Sequence, residues 1–358
     1  MSSIQFFFSI LCDEAVDCSN TEQMSLVLRY VNSNNEICED FLRFIDCKTG
    51  TSGLSLSLNV LNALQEFGLD IQNCRGQGYD SAGCMAGEYK GVASRIKALN
   101  REAIFFHCAS HRLSLVVAAA CQVQKVKNLL GQVKEISYFF NLSHKRSNCL
   151  KKYLSPNQEK IKDTCRTRWV QKLRGVDVFF DNFIPIIHAL EEMGLNESKE
   201  YNSETASKSS SFLRLLTDFS FIVSFVITKQ LMDFFYAITV TLQTKSFDIS
   251  KQCFEITNLK NLLLEIKNKI DIYHTEWYAI ALSLAKTLGI QEVRPRLCNV
   301  QVYRDNYPTN TVCDYFKHSI TSPLIEHLIN ELDNRYKGLA AVPSTVLSRI
   351  QLKKTMEI

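Results

Sequence analysis

"NCRGQGYDSAGCM", residues 73–85, holds three glycines, an aspartate and two cysteines in one short run. Its side chains are too small to fill a core. The run reads as a glycine-bearing turn that carries Asp80 away from a strand over residues 69–76. Upstream, "QFFFSILC" (5–12), "QMSLVLRYV" (23–31) and "CEDFLRFIDC" (38–47) are short apolar runs bounded by turn formers, and "NSNNE" joins the last two. They predict three successive strands. "SGLSLSLNVLNALQEFG" (52–68) then changes to helical periodicity and stops at Gly68. Downstream, a short helix fits "YKGVASRIKAL" (89–99) and a strand fits "AIFFHCAS" (103–110).

After about residue 120 the texture becomes helical. Amphipathic segments recur at 126–140, 176–193, 210–226, 259–273 and 323–336. The last predicts Ser322 as its N-cap and Pro323 at its first helical position. "NESKEYNSETASKSSS" (196–211) is polar and low in complexity, which predicts a flexible loop. The reading is therefore α+β: a mixed-sheet core over 1–165, an all-helical domain over 166–340 with a loop near 196–211, and a tail over 341–358.

Composition bounds the class. With 358 residues, 46% hydrophobic and 22% charged, the chain can bury one large core or two ordinary ones. Its 13 cysteines are scattered without a CxxC pair, which suits reduced thiols in an intracellular protein. The run from Phe6 to Cys12 has no basic residue before it and Asp13 and Glu14 after it, which favours a buried strand over a signal peptide. The greasy stretch 212–242 is broken by Arg214, Asp218, Lys229 and Asp233, so a core helix is expected and no membrane partner.

Charge is uneven. Between His144 and Arg174 ten Lys or Arg face two acids, a local +8 within a chain of net +4. Such a segment is either a solvated helix face or a patch that contacts phosphates.

Three strands, a helix, then a strand followed by helices is the order of an RNase H-like fold, in which the first and fourth strands lie side by side. Asp13 ends the first strand and Asp80 follows the fourth, so two carboxylates can face one point. Paired carboxylates on strands suit Mg²⁺ or Mn²⁺, which keep waters and substrate phosphates in their shell, and two such ions clamp both oxygens of a phosphodiester displacement. The plain alternative is an Asp that serves only its own turn.

"LCDEAVDCSNTEQMSLVLRYV" (11–31), "CRGQGYDSAGCMAGEYKGVASRIKALNREAIFFHCASHRLSLVV" (74–117) and "CRTRWVQKL" (165–173) together resemble the hAT superfamily of DNA transposases. The match is closer to the zinc-finger-MYM-type-like and TTF-type-finger branch, whose central region is a domain of unknown function. The resemblance implies an RNase H-like core interrupted by a large helical insertion. It implies Asp13 and Asp80 as the first two catalytic acids, with Asp17 a weaker candidate for the first. Cys108 and His111 of "HCASH" match the family's CxxH pair, a core motif beside the active site. Half of a zinc site without a second half predicts no zinc here. Arg168 and Trp169 of "TRW" match a pair suited to holding a phosphate and stacking on an unpaired base, or else the Trp anchors a helix. Lys151, Lys152 and Lys172 complete the expected nucleic-acid contacts.

Two departures weigh against catalysis. Cys84 stands where the family carries an amide, and the third acid and C-terminal Ser-Glu-Arg dimerisation segment have no recognisable match, which reads as C-terminal truncation. Glu326 and Glu331 are the nearest acids in the last helix. The expectation is a transposase-derived, DNA-binding nuclear protein, catalytically incomplete. The alternatives are an active two-metal transposase and a scaffold that binds proteins through its helical half.

Overall fold

The structure, a computed structural model, describes residues 6–16, 21–48, 50–161, 169–242, 249–296 and 307–337. The chain divides into two compact units: Met1–Leu113 with Thr241–Gln252, and Ser114–Val240 with Cys253–Ile358. The division falls near the change of texture at residue 120.

In the first unit β1 (Phe8–Val16), β2 (Glu22–Val31) and β3 (Ile37–Asp46) form the expected antiparallel meander. β4 (Cys74–Tyr79) lies parallel to β1, and β5 (Ile104–His107) parallel to β4, in the order β3-β2-β1-β4-β5. Alternation sends Phe8, Ile10 and Cys12 of β1 and Met24, Leu26 and Leu28 of β2 into one buried face. That face shares a core with Leu56, Val60 and Leu64 of α1 (Gly53–Glu66) and Ile96 of α3 (Val92–Leu99). Each such side chain contributes about 1.5–3 kcal/mol on burial. Ser52 starts α1 by accepting the Ser55 N–H at 3.2 Å.

The glycine-rich run proves to be strand, which corrects the turn reading. Residues 71–73 form a single 3₁₀ turn whose Asp70 side chain accepts the Gln72 N–H, and the strand starts only at Cys74. Gly76 and Gly78 are central positions where a Cβ would sit 2.6 Å from Ser9 Oγ and 2.6 Å from Leu11 Cδ2. Small residues are needed there because side chains of β1 lie over the β4 backbone.

The second unit is helical. Its described elements include most of α4 (Ala109–Ala120), then α5 (Gln124–Asn141), α6 (His144–Tyr153), α7 (Trp169–Asp181), α8 (Phe183–Leu195), α9 (Ser203–Leu216) and α10 (Phe219–Leu242). They continue with α11 (Ile249–Asn268), α12 (Ile270–Thr287), α13 (Val312–Phe316) and α14 (Ser322–Arg335). The loop expected at 196–211 is mostly helix. Asn202 caps α9 through the Thr205 N–H, Ser210 and Ser211 turn their hydroxyls back to the carbonyls of Ala206 and Ser207, and Ser209 is buried. Gly194 of α8 meets Ser210, so small polar residues here permit close helix packing.

α14 also starts differently from the sequence reading. Thr311 is the cap, its hydroxyl accepting the Asp314 N–H at 3.0 Å, and α13 runs into α14 through a π-helical turn at Lys317–Thr321. Thr321 is already helical, so Pro323 lies inside a continuous helix. The wide turn just before it absorbs the clash that a proline ring makes with the preceding turn.

α10 is the one described helix long and apolar enough to cross a membrane. Most of it is buried, with Phe225 and Phe235 fully enclosed.

His274 of α12 is buried between Thr321 Oγ1 at 2.9 Å on Nδ1 and the Cys313 carbonyl at 2.9 Å on Nε2. Burial above all holds its pKa below the usual histidine range, although the Cys313 hydrogen bond opposes the shift. The folded state therefore excludes a proton that the unfolded chain takes up below about pH 6.5, so this contribution is full above that pH and is lost as pH falls. Denaturant titrations should show the parent losing stability below about pH 6.5 more steeply than His274→Gln. His274→Ala should cost about 1–3 kcal/mol at neutral pH, because two buried groups lose partners.

Candidate functional site

β1, β4 and β5 are parallel, so their carboxyl ends gather on one edge of the sheet, the usual position for ligands in such sheets. Beyond a shift between Phe8 and Ser9, the β1–β4 register runs Ser9↔Gly76, Ile10↔Gln77, Leu11↔Gly78. Carried two residues further, it sets Asp13 opposite Asp80 on the face of Ser9 and Leu11. Asp13 is exposed, and Asp80 is half-buried with Oδ1 accepting the Ala82 N–H at 3.0 Å. One carboxylate oxygen of Asp80 thus closes the turn into α2 (Gly83–Ala86), as the plain reading held, while the other remains outside that bond.

Glu14, next to Asp13, falls by alternation on the face of Phe8, Ile10 and Cys12, where that face opens to solvent. Its pKa is raised, by burial first, then by Asp80 and Glu22 and more weakly by Asp13, against a hydrogen bond from Cys84. The Cys84 thiol donates to Glu14 Oε1 at 3.8 Å and is itself pushed up by burial and by Glu14. The sequence departure at Cys84 therefore leaves a weak donor in place of an amide.

From β5, the Cys108 N–H donates to the Tyr79 carbonyl at 2.9 Å and ties the end of β5 to the end of β4. The Cys108 carbonyl accepts the Arg112 N–H at 3.0 Å, and the N–H groups of Ser110 and His111 bond its sulfur, so Cys108 caps α4. Its thiol is held up by desolvation first, and Asp13 and Asp80 are both near enough to add to the shift. His107 Nδ1 lies 3.3 Å from Ser81 Oγ. Burial lowers the His107 pKa, Arg112 and His111 lower it further, and Asp80 opposes them. Asp80 thus acts on Glu14 of β1 and on His107 of β5. Among the described residues no set of three or more His, Cys, Asp or Glu is placed to hold a metal ion.

The sequence reading named Asp13, Asp80, Cys108 and His111 of this edge but missed Glu14, Ser81 and His107. Asp13 does not end its strand, since β1 runs on to Val16 paired with β2, and consecutive acids within it were the available signal for Glu14, because alternation puts one on each face. Asp17 and Arg168 lie outside the described residues, and Trp169 and Lys172 are placed by backbone alone on the first turn of α7.

Several charges of the 144–174 segment have partners within the helical unit. Lys152 Nζ lies 2.6 Å from Glu192, whose other oxygen accepts the Tyr153 hydroxyl at 2.8 Å. Arg174 pairs with Glu159 at 2.6 Å, and Lys145 donates to the Glu200 carbonyl. Lys151 is exposed, bonded to Asn148 at 3.0 Å. Glu326 pairs with Lys267 and Glu331 with Arg335.

Sheet order and the acids on its carboxyl edge define the first unit as an RNase-like α+β domain. Residues 4–91 match the family described as DUF4371: ZMYM1/FAM200, RNase-like domain. The whole chain is similar to the protein named "52 kDa repressor of the inhibitor of the protein kinase". It is 25% identical to the Homo sapiens protein over 356 residues and 26% identical to the Mus musculus protein over 357 residues. Each alignment covers 95% of this chain and 46% or 47% of the relative, so the chain spans about half the length of these curated relatives.

Because Asp80 is the largest carboxylate influence on Glu14, Asp80→Asn should lower the Glu14 midpoint followed by carboxyl-carbon NMR, and Cys84→Ala should raise it. A Glu14 midpoint indifferent to Asp80→Asn would separate the two carboxylates.

Proposed function

We propose that this chain is part of a hAT-type, transposase-derived protein of the nucleus. In this reading it binds DNA, keeps a divalent-cation site at the carboxyl edge of its sheet, and does not transfer strands as it stands. The observation that carries this reading is the parallel β1–β4 register, paired as far as Leu11↔Gly78, whose continuation by two residues would bring Asp13 opposite Asp80. Glu14 is shifted upward by burial first, and Asp80, Glu22 and Asp13 add to the shift, a negative contribution that a cation at that edge would relieve. Asp13 and Asp80 would hold Mg²⁺ or Mn²⁺, with water and phosphate oxygens completing the shell, and the bound ion would supply Lewis-acid charge. Holding two ions through an in-line displacement calls for a further acid, and no three-ligand group among the described residues offers one. The relatives carry the name of a repressor, which suits a protein that works by binding.

DNA contact is assigned to Lys151, Arg168, Trp169 and Lys172, with Lys152 engaged to Glu192. A second reading, a protein-binding helical scaffold, draws support from the ion pairs that already neutralise Lys152 and Arg174.

Salt dependence separates the two. Duplex affinity should fall steeply with salt, and the variant Lys151→Gln/Arg168→Gln should flatten the log–log slope by about 2. Unchanged affinity and slope would leave the scaffold reading. In Mn²⁺, supercoiled plasmid should stay intact, and nicking by the parent that Asp80→Ala abolishes would restore the enzyme.

A further inference from the structure

The charged group buried between α7 and α10 does not balance. Lys229 of α10 lies 2.5 Å from Asp233 one turn along the same helix and 4.0 Å from Asp177 of α7. Lys229 and Asp177 are largely enclosed, at 20% and 18% exposed, while Asp233 is more open at 37%. Lys229 also sits 5.6 Å from the centre of the Phe180 ring, and Phe180 packs edge-on against Phe225. Apolar rings therefore wall the ammonium in, and it has two carboxylates to serve. The next cation, Arg174 on α7, is engaged by Glu159 at 2.6 Å. Fully ionised, two cations face three anions, an excess of one negative charge in a half-dry site, and a proton is the simplest way to remove it.

We propose that the contact between α7 and α10 is a proton-gated joint, tight while Asp177 carries a proton that it shares with Asp233 and looser once that proton leaves. The protonated carboxyl of Asp177 donates to the Asp233 carboxylate, and Lys229 then compensates the single remaining charge. When Asp177 ionises, two carboxylates repel across the helix interface. The electrostatics of the group point the same way. Burial first, then Asp233 through charge and hydrogen bond, push Asp177 up to about 6, although Lys229 and Arg174 pull the other way. Tyr236 of α10 acts on Arg174. α5 and α8, which also pack on α7, add none of the charges that act on Asp177 most strongly. A carboxyl whose pKa is raised in the closed joint stabilises it at low pH, and that stabilisation is lost as pH rises through the folded value. α7 is the helix whose first turn carries Trp169 and Lys172, so that turn rides on the joint.

Hydrogen exchange on the full chain tests this, with rates corrected for intrinsic pH dependence. Protection of the amides around Asp177 should fall about tenfold between about pH 5 and pH 7 in the parent. In Asp177→Asn it should stay level over that range. Protection that is independent of pH in the parent, or that falls equally in the variant, would overturn the joint. Should Asp177→Asn fail to fold, carboxyl-carbon NMR of the parent decides. An Asp177 midpoint near 6 supports the proposal, and one in the ordinary aspartate range near about 4 refutes it.

Discussion

The close approach of β1 to β4 is the contact on which the rest of the first unit depends. Ser9 and Leu11 lie over Gly76 and Gly78 so tightly that a single added methyl group would collide with either. The parallel register then decides which residues of the two strands come together toward the carboxyl edge. A one-residue slip would turn Asp13 or Asp80 to the other face. The Cys108 N–H, bonded to the Tyr79 carbonyl, then brings the end of β5 and the first turn of α4 to the same edge.

Much of this arrangement was legible in the sequence. The three strands and the helix after them follow from apolar runs and their spacing, and the side-by-side placement of the first and fourth strands follows from the RNase H-like order of elements. The nature of residues 74–79 was not legible, because glycine signals a turn when it stands alone and a close backbone approach when a neighbouring strand supplies the side chains. That neighbour is visible only in three dimensions. Glu14 was hidden for a related reason: Asp13 met the motif, and the adjacent acid gained importance only when Asp80 and Cys84 closed around it.

In the helical unit the misread elements share a cause. Residues 203–211 look like a linker by composition, yet their serines bond back to the helix and let α9 pack against Gly194. Ser322 and Pro323 look like a helix start, yet the π turn at Lys317–Thr321 passes the helix through them. Local composition states what a segment can do alone, and tertiary contact chose otherwise in both places. The same contact gives the basic segment a structural share, since Lys152 and Arg174 help fasten helices as well as carry charge.

The account rests on Asp13 and Asp80 acting on one cation from the edge of one sheet. Crystals of the protein soaked in Mn²⁺, with the ion located by its anomalous scattering, test that directly. The expected result is a metal peak bonded to a carboxylate oxygen of each aspartate at about 2.1–2.2 Å, with the rest of its shell made of water. Carboxylates more than about 12 Å apart, or a fully occupied manganese elsewhere with none at this edge, would contradict it, since ions that act as a pair sit only about 4 Å from one another.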